Sequence, residues 1–426
     1  MSSSSLEAVE SPRILVCQHG SRHRYSIPRM LEDEEVLTAL YTDSSGVSWI
    51  GKFMRYIGGP LRLTDRLDRW NIQGIPGEKI YSSDLPHISD VFGRLFFSKR
   101  SPIERFQKRH QVLSKRMKKW GLQDSNIVYS MYHENLDFIR YAKEQGGTSV
   151  VDVFISPCTE KIMEQETALF PDWADSADKG ASGLLSKMWD ETASLADLLI
   201  CPSEWVAEGV AACSPHAVDK IRIVPYGCSL NYRNQVNKPV PGRILFAGRD
   251  PLRKGLPYLA QAASALKLDG LSDIDIRIAG QMSEEVVKHP LCKDLNFLGQ
   301  LNQSEMEMEY LAADMLVLPA LSEGFAGVVA EAIGAGCPVI VTKEAGSPVH
   351  DGREGLIVPS RDTEALTAAI RRMFLDRNLR QHCSTECLKQ IPFYSEKMWR
   401  KRLIKVFEEC NCPMTPTAEE QDKSSV

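Results

Sequence analysis

Apolar runs alternate with amphipathic segments along most of the chain. Strands are predicted where apolar residues follow one another without interruption, and helices where they recur every three or four residues. A first series has predicted strands at 14–17, 36–41, 127–130, 149–154, 198–201 and 221–224, and helices at 27–32 and 136–144. A second series has strands at 244–247 and 314–319 and helices at 256–266 and 328–335. Strands separated by helices predict an α/β fold with parallel sheets covered on both faces.

The two series predict two domains, and the 426-residue chain is longer than a single core usually supports. We assign residues 13–226 to the first domain and 243–391 to the second. The polar stretch 227–242, interrupted by Pro and Gly, is the predicted hinge. Residues 1–12 and 412–426 are rich in Ser, Thr, Pro and acidic residues and are predicted to be disordered. A further helix is predicted within 392–411.

Composition and charge exclude several classes of protein. The net charge of −5 argues against a nucleic-acid-binding protein. No apolar run is long enough to span a bilayer and no signal peptide pattern opens the chain, so we expect a cytoplasmic protein. The 11 cysteines favour free thiols over a disulfide framework. The pairs Cys383/Cys387 and Cys410/Cys412 lack zinc-site spacing, so no metal is expected.

Two charged loops carry the candidate chemistry. Glu323 lies in a glycine-containing loop between a predicted strand and helix, and Glu331 lies about two turns along that helix. Their carboxylates suit hydrogen bonds to a sugar and to a ribose, while the helix N-terminus suits a phosphate. Arg249 and Lys254 follow another predicted strand, where cations meet the crevice in which nucleotides bind.

These segments resemble the retaining glycosyltransferases of family 4, through the Glu-x7-Glu signature of Glu323 and Glu331 and the Gly-Arg, four residues, Lys-Gly block of 248–255. The resemblance implies a GT-B fold: two Rossmann-like β/α/β domains facing across a cleft, with the helix of 392–411 crossing back to the first domain. It implies that Arg249 and Lys254 grip the donor diphosphate and that Glu323 orients the sugar. The Phe-x-Gly element of 296–301 is similar to the family's base-reading segment. The implied donor-binding residues are Gly20, Arg249, Lys254, Leu298, Leu301, Glu323, Gly324, Phe325, Ala326, Gly327, Val328 and Glu331.

In the first domain, the loop with Gly20 occupies the position of the family's Gly-rich loop, although the usual Gly-Gly pair is absent. Gly20 would permit close approach of the diphosphate or acceptor, with charge from Arg22 or Arg24, but a plain surface loop fits the same pattern. His133 follows another strand and matches the family's polar residue on the acceptor side. It is a candidate catalytic residue, with a purely structural role as the alternative. Ser203 is a predicted helix N-cap.

A basic and aromatic stretch at 94–120 contains Glu104 as its only acid. This pattern fits a helix lying on anionic lipid or gripping an acidic acceptor, and it fits a solvated helix face equally well.

Taken together, these features predict a retaining, metal-independent hexosyltransferase (EC 2.4) that needs no cofactor. It would move a sugar from a nucleoside diphosphate sugar to a hydroxyl of a glycan, lipid-linked or small-molecule acceptor, in polysaccharide or glycoconjugate biosynthesis. A GT-B-fold sugar-nucleotide epimerase or hydrolase, or an inactive nucleotide-binding relative, is the alternative.

Overall fold

The computed structural model describes residues 11–43, 72–86, 102–173, 182–228 and 236–411. The strands within these ranges are β1 (Ile14–Gln18), β2 (Leu37–Thr42), β3 (Ile80–Ser82), β4 (Ile127–Met131), β5 (Thr148–Asp152), β6 (Leu198–Cys201), β7 (Ile221–Ile223), β8 (Arg243–Ala247), β9 (Asp275–Ala279), β10 (Leu295–Gly299), β11 (Met315–Leu318), β12 (Val339–Val341) and β13 (Gly355–Ile357). The helices are α1 (Ser26–Asp33), α2 (Pro102–Trp120), α3 (Leu136–Glu144), α4 (Thr159–Leu169), α5 (Ser182–Leu195), α6 (Glu204–Cys213), α7 (Leu256–Leu268), α8 (Glu284–Val287), α9 (Gln303–Ala312), α10 (Gly327–Ala335), α11 (Thr363–Leu375), α12 (Arg377–Gln390) and α13 (Glu396–Asn411).

The strands form two sheets. The seven-stranded sheet has the order β3-β2-β1-β4-β5-β6-β7, and the six-stranded sheet has the order β10-β9-β8-β11-β12-β13. The pairings from β3 to β5 and throughout the second sheet are parallel. In each sheet the chain order reverses once, between β1 and β4 and between β8 and β11. At such a switch point the following loops diverge and leave a crevice at the carboxyl ends of the strands.

The chain divides into two compact units. The first comprises the described residues of Met1–Asp152, Ser194–Leu199 and Arg400–Val426. Its core packs α2 and α3 against the sheet through Leu15, Tyr41, Leu113, Val128 and Phe138. The last helix, α13, contributes to this unit from Arg400 onward. Arg400 Nη1 lies 3.1 Å from Asp33 Oδ2, and the Phe407 ring packs against Tyr129.

The second unit comprises the described residues of Val153–Ala193 and Ile200–Trp399. Its core gathers both faces of the six-stranded sheet, with Phe246, Leu316 and Ile340 on strands and Leu256 and Ile333 on helices, all fully buried. Strands buried on both faces explain why the apolar runs at 244–247 and 314–319 show no polar alternation.

The predicted α/β class is confirmed by these two parallel sheets. The predicted domain limits, including the hinge at 227–242, stay a prediction. Several predicted features lie outside the described residues: most of 1–12, the tail 412–426, the part of the hinge at 229–235 and the part of the basic stretch at 94–101.

Candidate active site

The switch point of the six-stranded sheet brings the two predicted charged loops together. Residues 248–255 follow β8, and residues 319–326 follow the adjacent strand β11. Lys254 Nζ lies 2.6 Å from Glu323 Oε1, and Arg253 Nη1 lies 2.8 Å from the same oxygen. One carboxylate oxygen of Glu323 therefore forms ion pairs with two cations.

Glu323 is ionised at neutral pH. Its side chain is only 12% exposed, and burial alone would oppose ionisation. The charges of Lys254 and Arg253 outweigh that penalty and lower the pKa of the carboxyl. The group predicted to orient a sugar is thus a carboxylate that accepts hydrogen bonds.

Sequence reasoning missed Arg253, because the family block draws attention to Arg249 and Lys254. Arg253 Nε donates to Asp250 Oδ2 at 2.8 Å, and its Nη1 donates to the Ser322 carbonyl at 3.0 Å. These contacts fix its guanidinium on the Glu323 loop. The available signal was Asp250, three residues earlier, which sits at the spacing of a local ion pair. Arg249 itself is exposed.

The Glu323 loop is held by close backbone packing. A Cβ at position 324 would lie 1.7 Å from the Phe154 carbonyl oxygen, so glycine is required there. Ser203 Oγ donates to the Gly324 carbonyl at 2.7 Å and also caps α6, as predicted for this residue. The amides of Glu323 and Ala326 donate to the carbonyls of Glu344 and Ala345. Little freedom is left to this loop.

The other predicted donor-binding residues of the loop lie at the start of α10. Ala326 is its N-cap and is buried, and Gly327 and Val328 open its first turn. Amides in a first helical turn have no partner within the helix and are available to an anion. The Phe325 ring lies 5.8 Å from Tyr226, centroid to centroid.

Glu331 lies on the first turns of α10, and Tyr310 OH donates to its Oε2 at 2.7 Å. Tyr310 is 1% exposed and belongs to α9, so the contact orients the carboxylate from a rigid neighbour. Burial, and then the charge of Glu331, raise the pKa of the Cys228 thiol to about 12. Leu298 lies on the edge strand β10, and Leu301 follows that strand. Strand β9 lies between β10 and β8.

The first unit has its own polar cluster at the switch point between β1 and β4. Arg22 follows β1 and donates through Nε and Nη2 to Glu134 Oε1, at 2.8 and 2.6 Å. The His19 amide donates to the other oxygen of Glu134 at 3.0 Å. Glu134 follows β4 and is completely buried. The loops predicted around Gly20 and His133 are therefore joined by this carboxylate.

Asp43, after β2, completes the cluster. Gly20 donates its amide to Asp43 Oδ1 at 2.8 Å, and Arg109 Nη2 lies 3.2 Å from Oδ2. The ring centroid of His19 lies 3.7 Å from that of His110, which follows Arg109 on α2, and the two rings are tilted by 34°. Burial, then the neighbouring His19 and Arg109, lower the pKa of His110. Sequence analysis did not connect these side chains with the site and placed Arg109 only in the basic stretch 94–120, although the end of a strand beside β1 was a signal for Asp43.

His133 is a neutral, tightly placed side chain. Its backbone has φ of +64°, and its ring stacks 3.5 Å from Tyr132. Burial lowers its pKa to about 3. It is therefore suited to a hydrogen bond and not to a fixed positive charge. Arg24 was named as an alternative source of charge, and its carbonyl accepts a hydrogen bond from Arg29 Nη1 at 2.7 Å.

None of the helices in the described ranges is long and apolar enough to cross a membrane. No group of three or more His, Cys, Asp or Glu side chains in the same ranges is arranged to hold a metal ion.

Solved structures with this arrangement of sheets identify the fold. The chain resembles Anabaena HepE, solved in complex with UDP and glucose, with a TM-score of 0.61 and 12% identity over 93% of this chain and 100% of that one. It resembles a sucrose-phosphate synthase from Thermosynechococcus elongatus with a TM-score of 0.61 and 16% identity, over 94% and 99% of the two chains. The chain has the GT-B fold, as predicted.

Sequence comparison points to the same class. Residues 241–376 match the model of the family described as Glycosyl transferases group 1. It is 28% identical over 193 residues to a D-inositol 3-phosphate glycosyltransferase of Corynebacterium urealyticum, an alignment covering 42% of this chain and 45% of that protein. It is 23% identical to the O-antigen chain mannosyltransferase B of Escherichia coli, over 71% of this chain and 80% of that one. The chain thus matches less than half the length of the first of these relatives.

Proposed function

We propose that this chain is a retaining glycosyltransferase that uses a nucleoside diphosphate sugar as donor and a hydroxyl group as acceptor, in polysaccharide or glycoconjugate biosynthesis. The proposal rests on one observation: Lys254 and Arg253 both form ion pairs with Glu323 at the switch point of the six-stranded sheet. The match of residues 241–376 to the Glycosyl transferases group 1 model supports it, as do the complexes of a structural relative with UDP and with UDP-glucose.

In the proposed reaction, the diphosphate leaves as the sugar becomes oxocarbenium-like. Negative charge then grows on the leaving oxygens, so fixed cations beside them stabilise the transition state more than the substrate. Lys254 and the exposed Arg249 would contact the diphosphate. Arg253 would remain on Asp250 and Glu323 and keep the carboxylate aimed at the sugar hydroxyls.

Glu331 would accept hydrogen bonds from the ribose diol, with Tyr310 fixing the carboxylate. The amides of the first turn of α10 would receive phosphate oxygens. Because two side-chain cations and a helix N-terminus supply the charge that a divalent ion would otherwise supply, we propose that no metal is needed. The resembled family is assigned front-face attack without a covalent intermediate, and we adopt that route.

The polar cluster of the first unit is the proposed acceptor site. Its mix of carboxylates, imidazoles and arginines offers both donors and acceptors to a polyhydroxylated molecule. His133, neutral because it is buried, would donate or accept one of these hydrogen bonds.

The proposal is tested by thermal unfolding in EDTA with a panel of nucleoside diphosphates and their sugars. A selective rise in Tm is expected for the wild type and for Lys288→Ala, and its loss for Lys254→Ala. Lys288 is a matched control because it is an exposed lysine that also pairs with a glutamate, Glu284. A stabilising nucleotide whose sugar is then released without any acceptor would favour the hydrolase alternative. No shift with any nucleotide would contradict the proposed donor site.

We also propose peripheral contact of α2 with an anionic membrane at the cytoplasmic face. The exposed side of the helix carries Lys108, Lys115, Arg116, Lys118 and Lys119. Each cation near such a surface contributes about 1 kcal/mol. Salt-sensitive binding to vesicles containing phosphatidylserine, lost on replacing the last four of these residues by Ala, is expected; absence of binding at low salt would refute this contact.

A further inference from the structure

Two cysteines of the second unit lie in contact, although 55 positions separate them in the chain. Cys158 Sγ is 3.0 Å from Cys213 Sγ. Cys158 is the N-cap of α4, and Cys213 is the last residue of α6. Cys213 is exposed and Cys158 is partly exposed, so a dissolved reagent has access to the pair.

The packing of the backbone keeps the two thiols together. A Cβ at Gly209, on α6, would lie 2.0 Å from Ser156 Oγ, so the turn before α4 rests directly on that helix. Ser156 Oγ also accepts a hydrogen bond from the Cys158 amide at 3.3 Å. The Cys158 thiol reaches the Gly209 carbonyl at 3.7 Å. The contact therefore follows from two docked segments and not from the chance position of one side chain.

The same two segments support the Glu323 loop. Thr159, next to Cys158, places its hydroxyl 2.7 Å from Ser322 Oγ. Ser203, the N-cap of the helix that Cys213 ends, donates to the Gly324 carbonyl at 2.7 Å. A covalent link between the cysteines would join the supports on either side of Glu323.

We propose that Cys158 and Cys213 form a redox modification site, in which a low-molecular-weight disulfide such as oxidised glutathione converts the pair to an intrachain disulfide that stiffens the Glu323 loop. One thiolate attacks the reagent and releases one glutathione thiolate. The second cysteine thiolate then attacks the mixed disulfide and releases the other. The protein pair loses two electrons and two protons, and one glutathione disulfide becomes two thiols.

The experiment uses the full chain, reduced with dithiothreitol, freed of reductant and exposed to oxidised glutathione. Remaining thiols are alkylated in denaturant, and proteolytic peptides are analysed by mass spectrometry. A joined Cys158–Cys213 peptide pair, lighter by two hydrogens, is expected in the wild type and in Cys410→Ser, and is expected to be absent in Cys158→Ser and Cys213→Ser. Cys410 is the control because it is another partly exposed cysteine.

Two further readouts need no variant. Oxidation should raise Tm by roughly 5–10 °C, reversed by dithiothreitol, and should slow amide hydrogen exchange in residues 322–328. Alkylation of both thiols after oxidation, or a stable glutathione adduct without the joined peptide, would overturn the site. Unchanged exchange in a chain shown to be cross-linked would overturn the stiffening of the loop.

Discussion

The shared oxygen of Glu323 permits a sharp test with Lys254→Ala, Arg253→Ala and the double variant. Either single change leaves one cation within 2.8 Å of the carboxylate. We therefore expect each to lower the free energy of unfolding by about 1–2 kcal/mol, less than the 3–5 kcal/mol typical of an orphaned buried charge. The double variant removes both cations and should reach that larger value, exceeding the sum of the single effects by about 1 kcal/mol.

The pH dependence of the free energy of unfolding tests the same carboxylate independently, through the sign of its slope. In the wild type the pKa of Glu323 is lowered from 4.5. Its contribution to stability is thus complete above pH 4.5 and is lost as the pH falls through the folded-state pKa. In the double variant only burial remains, and burial raises a carboxyl pKa. The contribution of Glu323 should then fall as the pH rises above 4.5, which is the opposite slope.

Urea unfolding at several pH values between 4 and 7 measures both quantities, with Lys288→Ala as the control for loss of an exposed ion-paired lysine. In the transferase assay, Lys254→Ala should lower kcat about 10²–10³-fold, the cost of removing one oriented charge from a developing anion. Equal stabilities for single and double variants, or a double variant with the wild-type pH slope, would refute the reasoning about the shared carboxylate. Near-normal turnover by Lys254→Ala would refute its contact with the leaving group.

Three other variants probe the remaining features. His133→Asn keeps a residue that tolerates positive φ. Because the pKa of His133 is about 3 in the folded state against 6.5 for a free imidazole, urea unfolding should show the wild type losing about 1 kcal/mol more stability than the variant between pH 7 and 5.5. Equal losses would contradict the burial of His133 as a neutral ring. Gly324→Ala should cost about 1–3 kcal/mol because its Cβ would meet the Phe154 carbonyl, whereas Gly327→Ala, with open space around its Cβ, should change Tm little; similar Tm values for the two would be inconsistent with the packing described. Tyr310→Phe should raise the KM for the donor several-fold with kcat nearly unchanged, since it releases the Glu331 carboxylate that we propose for the ribose; an unaltered KM would argue against that role.

Much of the fold follows from local pattern. The predicted helix at 136–144 and the predicted strand at 198–201 have the bounds of α3 and β6. The strand predicted at 149–154 ends earlier in the structure, where its pairing with β4 stops at Asp152. The prediction ran too far because Val153 is apolar and buried although it lies beyond the strand. Apolar periodicity reports burial, and burial extends beyond a strand end.

The candidate site could be predicted only in part, for a reason of geometry. Adjacent parallel strands end at the same edge of the sheet, so the loops after β8 and β11 start side by side there, and the approach of Lys254 to Glu323 was implicit in the strand order. Arg109 shows the limit of such reasoning. Its position in a basic helix suggested solvent or lipid, but the rotation of α2 against the sheet directs it to Asp43, 66 residues away in the chain. No local pattern encodes that rotation.

The paired charges of the first unit constrain how this protein can diverge. Arg22 with Glu134 and Arg109 with Asp43 each join a partly exposed arginine to a carboxylate that is at most 2% exposed. Loss of either arginine would strand a charge away from water, whereas loss of the pair together would not. In lineages descended from this sequence, the two members of each pair should therefore be replaced together, so that the proposed acceptor site should change in steps of two substitutions.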